Sequence, residues 1–141
     1  MEKIIVNTDG GARGNPGPAG IGVVIADDKG AVVARFSQYI GEATNNVAEY
    51  KALIYALEKL KNFDYTEAEC RLDSELIVRQ LNGEYRVKEG KLKELYQQVQ
   101  QLIFFKPIKF VHVPREKNKE AGKNAAEPSV RYFHWLSFAV H

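Results

Sequence analysis

The spacing of apolar residues changes period at Asn45, and that change limits the chain to folds in which a run of strands is followed by a helix. Ahead of Asn45, residues 3–8 (KIIVNT) are a short apolar run with β-branched members, expected as a first strand. Residues 20–26 (GIGVVIA) and 31–40 (AVVARFSQYI) flank the turn signal Asp27-Asp28-Lys29-Gly30 and are expected as a hairpin. The GGARGNPGPAG stretch before them is dense in glycine and proline and is expected as loop. From Asn45 to Lys61, Val47, Tyr50, Ile54, Leu57 and Leu60 recur at helical spacing, and Ala48, Ala52 and Ala56 make a small-residue face beside them.

Beyond this helix, residues 67–72 (EAECRL) are expected as a fourth strand. Ser74 is placed to cap a following helix that buries Leu76, Ile77 and Leu81 and is closed by Gly83. Residues 90–104 give another helix through Leu92, Leu95, Val99 and Leu102. Residues 106–113 (KPIKFVHV) follow as a fifth strand whose start or edge is marked by Pro107. A last helix is expected over Lys117 to Glu127, ended by Pro128. The order implies an α/β fold, a mixed five-stranded sheet of three antiparallel strands and then parallel ones, flanked by helices. That architecture hosts many functions and decides none of them.

The chain of 141 residues suits one domain, taken as residues 1–128, with an apolar tail over 129–141. In the tail, Phe133, Trp135, Leu136 and Phe138 are too apolar to stand free in water. Packing on the sheet, an added strand and burial in a partner chain all remain open for it. A monomer is expected unless the tail mediates association, and no protein partner is evident.

The single Cys70 excludes an internal disulfide framework and fits a reducing compartment. With no secretory leader and no apolar run of membrane-spanning length, a cytoplasmic location away from membranes is expected. A net charge of +2 permits nucleic-acid binding without arguing for it. The clusters Arg86, Lys88, Lys91, Lys93 and Arg115, Lys117, Lys119, Lys123 have solvated surface as their ordinary explanation.

Three carboxylates stand apart by position. Asp9 follows the first apolar run, Asp73 ends the fourth, and Glu49 is expected in the first turn of the central helix. Each has an ordinary structural role open to it. Glu49 lies three residues after Asn46, as in a capping box; Asp73 is able to cap the next helix; Asp9 is able to serve the glycine turn. Should strands one and four be neighbours, however, all three converge. Clustered carboxylates repel and resist burial, so a site that keeps them together needs cations, and oxygen ligands suit Mg²⁺ or Mn²⁺.

The string from Thr8 to Gly20 (TDGGARGNPGPAG) resembles the opening motif of type 1 ribonucleases H. Residues 44–50 (TNNVAEY) and 72–83 (LDSELIVRQLNG) resemble the second and third motifs, and residues 113–121 (VPREKNKEA) resemble the approach to the fourth. The match runs in order over about residues 3–127. The resemblance implies a two-metal nuclease that hydrolyses the RNA strand of RNA–DNA hybrids and leaves 5′-phosphate and 3′-hydroxyl ends. Asp9, Glu49 and Asp73 would be the catalytic residues and would hold two Mg²⁺ or Mn²⁺ ions about 3.5–4 Å apart, with Asp9 bridging them. Glu49 would also sense the ribose 2′-hydroxyl. Gly10, Gly11 and Gly14 would let backbone approach the RNA strand, Asn45 and Asn46 would contact the hybrid while also capping the helix, and Thr44 would help hold a DNA phosphate.

The chain departs from that family at several places. The fourth carboxylate position is Gly122, and the nearest substitutes are the amide oxygens of Asn118 and Asn124. An amide ligates but neither acts as a base nor offsets ion charge, so weakened metal binding and slower turnover are expected. The loop at residues 114–117 has no histidine, and His112, inside the fifth strand, is expected to be structural. The long basic protrusion is absent, as in compact prokaryotic members, which leaves phosphate contacts to Arg86, Lys88 and Lys91. The alternative to an active nuclease is an RNA–DNA hybrid-binding module with a weakened or inactive site; a nuclease of the same superfold with another nucleic-acid substrate is a third reading.

Overall fold

The computed structural model describes residues 2–104 and 106–114. The expected last helix, the fourth ligand position (Asn118, Gly122 or Asn124), the second basic cluster and the tail at 129–141 lie outside the described residues.

Eight elements are described: β1 (Lys3–Ala12), β2 (Gly17–Asp27), β3 (Val32–Ala43), α1 (Asn45–Leu60), β4 (Glu67–Leu72), α2 (Glu75–Leu81), α3 (Gly90–Leu102) and β5 (Ile108–His112). The sheet runs β3-β2-β1-β4-β5. β1, β2 and β3 pair antiparallel, while β4 joins β1 and β5 joins β4 in parallel. The expected mixed five-stranded architecture is therefore the observed one.

The glycine-rich stretch is mostly strand rather than loop. β1 continues through Gly10, Gly11 and Ala12, and β2 begins at Gly17, so the connection shrinks to residues 13–16, with Gly14 in the left-handed region at φ 89° and a cis Asn15–Pro16 bond. Gly10 is in the strand because α1 crosses so close that a Cβ there would lie 2.3 Å from the Ala48 carbonyl oxygen. At the other end of β2 the expected turn forms: the Asp27 carboxylate accepts from the backbone N–H groups of Lys29 and Ala31, both at 2.9 Å.

α1 lies over β1 and β2, with α3 against its other side. Ala48, Ala52 and Ala56 are fully buried, and Ala48 and Ala56 share one apolar cluster with Leu53, Leu57 and Leu60 and with Ile4, Val6, Val23 and Ile25 of the sheet. Small side chains on the sheet-facing side let the helix axis approach closely, and the larger ones fill what remains. α2 opens on Ser74, whose hydroxyl accepts from Ile77 N–H, and buries Ile77, Val78, Gln80 and Leu81. Leu76, expected in that buried face, is 40% exposed instead. Cys70 is in the core, where burial pushes its thiol up to about 12 and leaves it unreactive. No helix among the described residues is long and apolar enough to cross a membrane.

Candidate active site

The parallel pairing of β1 with β4 brings two carboxylates level. Asn7 is in register with Arg71, and Asp9 and Asp73 each lie two residues further along. α1 supplies the third. Its N-cap is Thr44, whose hydroxyl oxygen accepts from Val47 N–H at 3.2 Å, so Asn45 is the first helical residue and Glu49 the fifth. This corrects three expectations. Glu49 lies just past the first turn, it does not close a capping box with Asn46, and neither asparagine is the cap.

Glu49 instead faces the sheet. Its Oε1 accepts from the Gly10 backbone N–H at 2.9 Å, a contact made possible by the missing Cβ of Gly10. Carboxylate oxygens of Asp9, Glu49 and Asp73 all lie within 4.8 Å of one another, with Asp9 and Glu49 buried. Glu49 Oε2 is also buried, and no donor among the described residues reaches it. Burial first, then the charges of Asp9 and Asp73, push the Glu49 carboxyl well above the ordinary carboxylate range, against the pull of Gly10 N–H. Three carboxylates whose oxygens lie within 4.8 Å of one another, one with an undonated buried oxygen, fit a divalent cation.

The raised Glu49 value has a consequence for stability without metal. The folded chain holds this proton to higher pH than the unfolded chain, whose glutamates ionise near about 4.3. Stability is therefore present at low pH, falls as pH rises past that value, and levels off once folded Glu49 has ionised. Glu49→Gln is expected to remove this fall, as measured by urea midpoints across pH in EDTA. An identical pH profile in the variant would rule out Glu49 as its source.

Around the carboxylates is an open cleft of about 350 Å³ lined by Gly10, Gly11, Ala12, Asn45, Asn46, Glu49, Asp73 and Ser74. Asn45 is fixed there from both sides: its Oδ1 accepts from Ala12 N–H at 2.8 Å, and its own N–H donates to Asn15 Oδ1 at 3.0 Å. Ser74, Ala12 and the supporting Asn15 were not anticipated from the sequence, although an Asn-Pro pair in a tight connection is a recognisable side-chain acceptor. Gly14 sits in the connection between β1 and β2, and Thr44 at the helix cap; neither lines the cleft. Arg86 and Lys88 are not in this cleft. Arg86 lines a separate groove of about 550 Å³ between α2 and α3, with Tyr85, Lys93, Tyr96 and Gln97. Lys88 is exposed in the segment before α3, and His112 is exposed at the end of β5.

A mixed sheet with one acid on β1 and another directly after the adjacent parallel strand β4, met by a third from the helix packed on the sheet, places the molecule in the ribonuclease H-like class of folds. Residues 7–127 match the reverse transcriptase-like family model. The bifunctional protein Rv2228c of Mycobacterium tuberculosis is 45% identical over 125 residues, which cover 87% of this chain and 34% of that protein. Ribonuclease HI of Halobacterium salinarum is 41% identical over 120 residues, covering 84% of this chain and 60% of its own length. LC11-RNase H1, isolated from compost by a metagenomic approach and crystallised in complex with an RNA/DNA hybrid, superposes with a TM-score of 0.80 at 55% identity, covering 85% of this chain and 91% of that one. The chain belongs to the type 1 ribonuclease H family. It spans about a third of the length of the mycobacterial relatives.

Proposed function

We propose that this chain is a divalent-metal-dependent endonuclease that hydrolyses the RNA strand of RNA–DNA hybrids. The observation that carries the reading is the convergence of Asp9, Glu49 and Asp73 within 4.8 Å, with a buried, undonated oxygen on Glu49. The hybrid-bound LC11-RNase H1 relative supports the choice of substrate.

Asp9, Glu49 and Asp73 would hold two Mg²⁺ or Mn²⁺ ions. When bound, such ions supply an activated water and a charge sink for the departing 3′-oxygen, so that the products carry 5′-phosphate and 3′-hydroxyl ends. The chain's own residues position the strand. Gly10 N–H fixes Glu49 Oε1 and leaves Oε2 for an ion or a ribose 2′-hydroxyl. Gly10 and Gly11 let the RNA backbone come close. The Asn45 carbonyl oxygen is taken by Ala12, which leaves its amide hydrogens to donate to substrate, and Asn46 lines the same wall. Thr44 accepts from Val47, and its hydroxyl proton remains able to donate to a DNA phosphate. Clustered carboxylates beside phosphates weaken pure binding, which favours catalysis over a hybrid-binding module.

Labelled RNA–DNA hybrid incubated with the protein in Mg²⁺, in Mn²⁺ and in EDTA tests the proposal, with double-stranded RNA and duplex DNA as competitors. The expected result is cutting of the RNA strand alone, only with a metal present. Tight binding without cleavage in either metal would overturn the nuclease reading in favour of the binding module. Arg86 and Lys88, outside the cleft, would contribute phosphate contacts further along the hybrid. Changing either to alanine is expected to lower the slope of log affinity against log salt by about 1 and to leave the single-turnover rate at saturating enzyme unchanged. An unaltered salt slope would remove that residue from the binding surface.

A further inference from the structure

Tyr50, the residue after Glu49, is fully buried, and its hydroxyl donates to Gln80 Oε1 at 2.7 Å. Gln80 is buried as well, at 6% exposure. The pair joins α1, which carries Glu49, to α2, which follows directly on Asp73. Contact between these helices is otherwise sparse, since α1 leans mainly on β1, β2 and α3. At the far end of α2, a further polar tether among the described residues runs from Asn82 Nδ2 to the Phe110 carbonyl of β5 at 3.4 Å. Its near end is a closed unit, with the Ser74 hydroxyl accepting from Ile77 N–H and the Ser74 carbonyl from Val78 N–H. A shift of α2 is thus transmitted to the Asp73–Ser74 junction.

An apolar contact between two helices tolerates sliding, whereas a hydrogen bond between buried groups is directional and costly to break, even though one side of Gln80 borders the groove beside Arg86. We infer that Tyr50 and Gln80 are positioning residues whose buried hydrogen bond sets the offset of α2 from α1, and with it the separation of the Glu49 and Asp73 carboxylates that receive a divalent ion. The inference rests on reading the three carboxylates as a metal site.

The test uses the full chain and Mn²⁺ alone, titrated calorimetrically without nucleic acid. Tyr50→Phe and Gln80→Met each strand one buried polar partner and are expected to lower the melting temperature; the double variant removes both partners and is expected to recover much of it. Mn²⁺ affinity is expected to fall about tenfold in both single variants and to stay low in the double variant, as for other groups that orient metal ligands. Val99→Ala, a core truncation on α3, supplies a chain weakened in stability alone and is expected to keep wild-type affinity. A double variant that binds Mn²⁺ like wild type, or an equal loss of affinity in Val99→Ala, would reduce the pair to ordinary core packing. A wild-type chain that binds no Mn²⁺ would overturn the metal reading of the carboxylates, and this inference with it.

Discussion

Asp73→Asn is expected to slow hybrid cleavage on the order of 10³-fold while leaving the fold and hybrid binding in place, because metal-borne charge stabilisation supplies several kcal/mol at about 1.4 kcal/mol per tenfold in rate. Asparagine has almost the shape of aspartate, so the residue continues to follow β4 and to precede the Ser74 cap. The change is one of charge and donor type: one of three carboxylates within 4.8 Å becomes a neutral amide. Hybrid affinity in EDTA is expected to hold or to rise slightly, since one negative charge beside the phosphates is gone. Asp27→Asn is the matched control. Asp27 accepts from Lys29 and Ala31 in the β2–β3 turn, so its loss is expected to touch stability and not the cleavage rate. Single-turnover cleavage with both variants decides the matter. If Asp73→Asn cleaves at the rate of Asp27→Asn, Asp73 does not belong to the reacting set.

The acids of the site were legible in the sequence because each stands beside an element whose period is unambiguous. The apolar runs before Asp9 and Asp73 marked them as acids near strand ends, and parallel pairing of β1 with β4 then placed them level. Glu49 was legible as a helix residue, but its position within the helix was not. Thr44, Asn45 and Asn46 are all good caps, and only the fold shows that Thr44 takes the role while Asn45 is used to hold Ala12. The strand content of residues 10–12 and 17–20 was hidden for a related reason. Glycine is depleted in strands on average, and the causes of its presence here are tertiary or set by the turn: α1 crosses too close for a Cβ at Gly10, and the Arg13 backbone of the connection does so at Gly17. Arg86 and Lys88 show the same boundary. Charge clustering along the chain found them, whereas the groove that Arg86 lines depends on how α2 turns into α3. The Tyr50–Gln80 bond spans thirty residues, and helical periodicity reported Tyr50 merely as one more core position.

The close crossing at Gly10 makes a single added methyl group there costly to both the fold and the site. A Cβ added to Gly10 would meet the Ala48 carbonyl oxygen at 2.3 Å, the Ala48 carbonyl carbon at 2.4 Å and the Glu49 nitrogen at 2.6 Å. All three are backbone atoms of α1, so no rotamer change relieves the clash and the start of the helix must move away from β1. That movement breaks the Gly10 N–H contact to Glu49 Oε1 and draws Glu49 away from Asp9 and Asp73. Gly10→Ala is therefore expected to destabilise the chain by about 3 kcal/mol, the upper end for overpacking. It is also expected to abolish both Mn²⁺ binding and cleavage at temperatures where the variant is still folded. Gly90→Ala is the contrasting case. Gly90 opens α3 with nothing near its absent Cβ, so alanine there is expected to be neutral or to stabilise by up to about 1 kcal/mol. Urea unfolding of the two variants, with Mn²⁺ titration of the folded fraction, separates the outcomes. A Gly10→Ala chain that keeps wild-type stability and Mn²⁺ affinity would mean that α1 can shift without cost, and would remove the geometric basis for placing Glu49 in the site.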